Sequence, residues 1–151
     1  MKTILILTLS LFLILVSCQQ KETKQVGDEE SFIISNTWIR PGSMNRNTAA
    51  FMKIKNNMDV DDTLYAASSD LAKVVEIHET YKRENDMMGM RHIDYLVIPK
   101  NSTVELKPGS FHIMLIGLNK NLAIDENIKL QLFFRFNGEI EIDIKAMQNQ
   151  M

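Results

Sequence analysis

All three histidines of this 151-residue chain, and four of its ten methionines, fall between His78 and Met114: His78, Met87, Met88, Met90, His92, His112 and Met114. Imidazole and thioether groups share one chemistry, the binding of soft or borderline metal ions. A thioether is uncharged and needs no deprotonation, and soft ligands select Cu(I) over harder cations. Two thioethers with two imidazoles make a neutral, low-coordinate set that suits a monovalent ion. Zinc would be expected to recruit cysteine or carboxylate, and calcium or magnesium clustered oxygens. The competing reading is structural. Methionine fills irregular cores, and taken one at a time these residues favour that role. Their grouping and spacing shift the balance toward a site.

The chain offers one cysteine, Cys18, and its position removes it from that chemistry. Met1-Lys2 is followed by a nearly continuous apolar run from Thr3 to Val16, about 14 residues, shorter than the roughly 20 needed to span a bilayer. This is the pattern of a secretory signal segment. It ends in Leu15-Val16-Ser17-Cys18, which resembles a bacterial lipobox. Residues 1–17 are therefore expected to be a cleaved lipoprotein signal peptide, with Cys18 the lipidated residue. Residues 18–30, ending in the polar Gln19–Glu30, read as a tether, 31–147 as the folded domain and 148–151 as a tail. The expected location is the cell envelope, on the periplasmic side of a bacterial membrane. The domain itself then has no thiol for a disulfide, a nucleophile or a thiolate ligand.

A β-rich domain is expected to position the histidines and methionines. Short apolar runs at Phe32–Ile39, Ala50–Lys55, Thr63–Ala67, Val74–Tyr81, Arg91–Ile98, Thr103–Leu106, Phe111–Leu118, Ile128–Phe136 and Ile140–Lys145 read as strands. Turn signals separate them, including Pro41-Gly42, Lys107-Pro108-Gly109 and Asn137-Gly138, the last a hairpin signature. Many short strands with frequent turns indicate an all-β sandwich or barrel. On a strand, residues two apart share a face, so His112 and Met114 should project together, with Phe111, Ile113 and Leu115 opposite. Hydrophobic residues make up 45% of the chain and charged residues 24%, a balance that fits a globular domain. The formal net charge of −2 gives phosphate binding nothing to rest on, so no nucleic-acid partner is expected.

Counting from His78, Met90 lies twelve residues on, His112 thirty-four and Met114 thirty-six. This H-x11-M-x21-H-x-M pattern resembles the signature of the periplasmic copper chaperones called PCu(A)C. The neighbouring segments Trp38-Ile39-Arg40, Ala49–Asn56, Ile77-His78-Glu79, Val104–Gly109 and His112–Leu118 are similar too, so the resemblance covers about residues 37 to 146. It implies a cupredoxin-like Greek-key β-sandwich. It also implies Cu(I) held by His78, Met90, His112 and Met114, and delivery of copper to extracytoplasmic cuproproteins such as the copper centre of cytochrome c oxidase. Glu79 stands where some relatives have methionine, at a position outside the four ligands. Many relatives are soluble, whereas the lipobox would hold this chain at a membrane.

The remaining candidates are secondary. Met87 and Met88 are possible auxiliary ligands during copper capture, and His92, two residues from Met90, a possible fifth ligand. Glu76 and Glu79 flank His78 and could orient it by hydrogen bonding, although a solvated face is the default. Trp38 and Phe51 read as core residues. Three other functions compete. A blue-copper electron carrier needs a cysteine thiolate with two histidines, which the domain lacks. A metal-free lipoprotein interaction module would use the methionines as a contact patch, and a copper-sequestering protein would bind without delivering. Enzymatic activity is not expected, since the chain has neither a nucleophile-elbow motif nor a glycine-rich phosphate loop.

Overall fold

The structure is a computed structural model that describes residues 31–148. The signal segment, Cys18, the tether and residues 149–151 of the tail lie outside the described residues. The strands are Phe32–Ile39 (β1), Thr48–Asn56 (β2), Asp62–Ser68 (β3), Ala72–Lys82 (β4), Met88–His92 (β5), Leu96–Ile98 (β6), Ser102–Leu106 (β7), Phe111–Leu118 (β8), Asn127–Phe134 (β9) and Gly138–Ala146 (β10). A 3-10 turn at Glu84–Asp86 is the one helical element among the described residues.

Alternation decides which side of each strand is buried. Along β9, Ile128, Leu130, Leu132 and Phe134 are buried while Lys129 is exposed. Along β10, Ile144 is buried and Glu139, Glu141 and Asp143 are exposed. The strands pair in the order β5-β4-β8-β2-β1-β10-β9-β3-β6, with β7 also paired to β2. β1 joins the two halves, running antiparallel to β2 and parallel to β10. One apolar cluster collects Ile77, Ile113 and Leu115 from the first half with Leu64, Leu130, Leu132 and Ile144 from the second. The fold is all-β and cupredoxin-like, as expected.

The expected hairpin at Asn137-Gly138 is present, with Gly138 at φ +71° and paired to Phe134. A positive φ there is accessible to glycine at little steric cost. The fully buried Asp62 holds this turn from across the sheet. Its carboxylate accepts from the backbone N–H groups of Thr63 (2.7 Å), Phe136 (3.0 Å) and Asn137 (3.2 Å), and from Asn137 Nδ2 (2.7 Å).

The single strand expected over Arg91–Ile98 is in fact two. β5 ends at His92 and stays on β4, while β6 begins at Leu96 and pairs with β3 in the other half. Ile93 donates its N–H to Ile77 O at 2.9 Å as the chain leaves the first half. The apolar pattern reads through this crossing because Leu96 and Ile98 face the same core.

Candidate metal centre

Strand register brings the sequence-selected residues together. His78 on β4 stands directly opposite His112 on β8 and His92 on β5. Met114 is opposite Glu76, and Met90 opposite Thr80. Directly paired residues point to one side of a sheet, so His78, Met90, His92, His112, Met114, Glu76 and Thr80 share a face. Met88, opposite Lys82, belongs to that face as well. Ile77, Ile113 and Leu115 point the other way into the core, as the period-two reading of β8 required.

The face is hollow. Arg40, Thr48, Ala49, Phe51, Pro108, Met90, His112 and Met114 contribute to a groove of about 400 Å³. Phe51 is buried, as expected of a core residue, and Trp38 is half-buried, but both lie outside the main apolar cluster. Their rings stack 4.5 Å apart on the site's side of the sheet, and Phe51 lies 6.3 Å from the His112 ring. The Arg40 guanidinium sits 5.2 Å above Phe51. These groups wall one side, so His112 is only 3% exposed. The opposite side is open: Met90 is 57% exposed, and Met87 and Met88 are exposed beside it.

The imidazoles are oriented by specific acceptors. His112 Nδ1 donates to Ser110 O at 3.0 Å, which leaves the lone pair on Nε2. His78 Nε2 donates to Glu76 Oε2 at 2.7 Å, which leaves the lone pair on Nδ1. Among the described residues, these two nitrogens, His78 Nδ1 and His112 Nε2, are the buried side-chain polar atoms without a hydrogen-bond partner. Their rings are 5.8 Å apart. A buried polar atom left unpaired is costly and calls for an explanation. Burial also lowers the pKa of His112 below the usual 6.5, helped by the His78 and Arg40 charges and opposed by the Ser110 hydrogen bond. The neutral, ligating form is therefore favoured.

The sequence gives Glu76 a solvated face by default, but the structure makes it the partner of His78, 3.7 Å from His92 Nδ1. The signal was its i−2 position on the strand of His78. Glu79, on the other face, pairs with Arg91 at 2.7 Å.

An all-β, cupredoxin-like domain with imidazoles and thioethers collected on one sheet face defines the class. Residues 33–146 match the family described as "Putative lipoprotein LpqE-like", and the chain belongs to that family. It is 31% identical over 101 residues to "Putative lipoprotein Lxx21020" of Leifsonia xyli subsp. xyli, covering 67% of this chain and 60% of that protein. It is 30% identical over 115 residues to "Uncharacterized protein RP573" of Rickettsia prowazekii, covering 72% and 62%. The matches thus span about three fifths of the length of these curated relatives. The fold is that of the apo PCuAC domain from PmoF1 (TM-score 0.68, 22% identity, 79% of this chain and 95% of that one). It is also that of the copper-bound PCuAC domain from PmoF2 (0.66, 22%, 79% and 94%) and of CuI-DR1885 from Deinococcus radiodurans (0.62, 23%, 83% and 86%). The resemblance to PCu(A)C domains expected from the residue spacing is borne out.

Proposed function

We propose that this protein is a copper chaperone of the cell envelope, which binds Cu(I) through His78, Met90, His112 and Met114 and passes it to a cuproprotein such as the copper centre of cytochrome c oxidase. The observation that carries this reading is the pair of buried, unpartnered nitrogens, His78 Nδ1 and His112 Nε2, on the face that also presents the two thioethers. The likeness to copper-bound PCuAC domains supports it. Four neutral donors match a monovalent soft ion, and each imidazole is held in one tautomer by its second nitrogen.

The groove's asymmetry suggests how copper moves. His112 sits at the walled side and Met90 at the open side. An acceptor's ligand would displace the Met90 thioether first, then Met114 and the imidazoles. Met87 and Met88, beside the opening, serve as auxiliary donors during capture. The protein binds and transfers its cargo and carries out no catalysis. Lipidation at Cys18, supported by the Leu15-Val16-Ser17-Cys18 sequence and the lipoprotein family, would keep it at the membrane where membrane-bound oxidases assemble.

The test is an anaerobic Cu(I) titration of the fragment from Ser31, which carries all ten described strands, against a competing chelator. Wild type should take up one tight equivalent. His78→Ala, Met90→Ala, His112→Ala and Met114→Ala should each weaken it by about tenfold or more while the fold persists. Uptake untouched by all four substitutions would sink the assignment.

A further inference from the structure

His78 has two nitrogens and the copper reading uses one. On the other side of its ring, Glu76 Oε2 lies 2.7 Å from His78 Nε2 and 3.7 Å from His92 Nδ1, and the three donor atoms fall within 4.8 Å of one another. Donors around an ion bonded at about 2.0–2.2 Å stand roughly 3–4 Å apart, so small side-chain shifts would close this set. The cluster lies where β5 forms the sheet edge, with His92 half exposed and an open approach from solvent. Among the described residues Glu76 has no lysine or arginine in ion-pair range. The basic groups within that range are the imidazoles of His78 and His92.

We propose that Glu76, His78 Nε2 and His92 Nδ1 form a second metal site, for a borderline divalent cation such as Zn2+ or Cu2+. The donor set differs in kind from that of the groove. One carboxylate and two imidazoles supply a negative charge and no sulfur, which suits a divalent ion and disfavours Cu(I). His78 makes the two sites antagonistic. Cu(I) at Nδ1 requires the proton on Nε2, where it bonds to Glu76. A divalent ion at Nε2 requires the proton on Nδ1, which then cannot ligate. The move is a tautomer exchange with no net proton change on the ring. The second site stands independently of the copper assignment, while the antagonism rests on it.

The experiment titrates the full-length chain in detergent with Zn2+ alone and, separately, with Cu(I). Wild type should bind one Zn2+, and Cu(I)-loaded protein should bind none. His92→Ala should weaken Zn2+ by at least about tenfold and change Cu(I) affinity far less. Met114→Leu should do the reverse. His92 is half exposed on an edge strand, and Glu76→Gln provides a second variant for the Zn2+ arm. No Zn2+ uptake by wild type, or uptake indifferent to both His92→Ala and Glu76→Gln, overturns the site. Simultaneous, independent binding of both ions overturns the antagonism. Unchanged Cu(I) affinity in Met114→Leu, with Zn2+ binding intact, would remove Met114 from the copper ligands and leave this site standing.

Discussion

His112 carries the tension of the site in one side chain. Its ring is almost fully buried, one nitrogen is hydrogen-bonded and the other has no partner within the protein. Burial is the main cause of its lowered pKa. The consequence for the metal-free protein has a definite sign. A histidine whose folded pKa lies below its unfolded value binds fewer protons folded than unfolded. Its contribution to stability is complete above the unfolded pKa of about 6.5 and is lost as pH falls from there through the depressed folded value. Urea unfolding of the metal-free protein between pH 7.5 and 5 should therefore show stability declining with acid, and His112→Leu should flatten that component. A decline of equal size in His112→Leu would assign it to other groups. The same depression keeps the imidazole free for a metal below the pH at which an exposed histidine is half protonated.

At the scale of elements, the site depends on how the edge strand β5 is fixed to β4. Behind the metal face, Gly89 is buried opposite Tyr81, whose ring is flanked by the guanidinium groups of Arg83 (5.8 Å) and Arg91 (5.2 Å). A Cβ at Gly89 would stand 2.9 Å from the Tyr81 ring and 2.5 Å from Arg83 Nε. Gly89→Val should displace this stack and shift β5, weakening Cu(I) binding by roughly tenfold although no ligand is altered. Chelator competition checks it, and unchanged affinity would show that β5 is not held by this packing. Asp62 plays the equivalent role for the β9–β10 turn. Asp62→Ala would take the carboxylate acceptor from four part-buried N–H donors and should cost about 2–4 kcal/mol in urea unfolding. The sequence makes some of this visible. Asn137-Gly138 announces its hairpin, and His112-x-Met114 announces a shared face because both rest on local chemistry and a two-residue period. The pairing of His78 with His92, and hence the Glu76 cluster, depends on cross-strand register, which no local pattern encodes. The break at Ile93–Tyr95 is hidden for the same reason: Ile93, Leu96 and Ile98 all pack on one core, so the apolar pattern runs on while the pairing partner changes from β4 to β3. Trp38 and Phe51 read as core residues because hydrophobicity reports burial and not which face of the sheet provides it.

The whole molecule separates the point where the chain enters the domain from the point where the site lies. Ser31 accepts a hydrogen bond from Asn57 at the far end of β2, whereas Met114 pairs with Ala49 at its other end. Ala49 and Asn56 are seven residue steps apart along the strand, about 23 Å at roughly 3.3 Å per residue. The C-terminal strand leaves on the near side. Met147 donates its N–H to Ile39 O, next to Trp38, whose ring leans on Phe51 and through it toward His112. Coupling directly at Ser31 therefore holds the domain by the end remote from the groove, and coupling at Gln148 holds it by the end beside the groove's rim. The prediction concerns rate rather than affinity. Cu(I) transfer to a chelator carried on a bulky protein should be as fast from domain coupled to a vesicle at Ser31 as from free domain. Coupling at Gln148 should slow transfer several-fold with equilibrium affinity unchanged, because the acceptor then meets the vesicle before it meets Met90. Equal rates from both attachments would mean that the acceptor does not approach over the Trp38–Phe51 rim, and the exchange route would have to run along β5 alone.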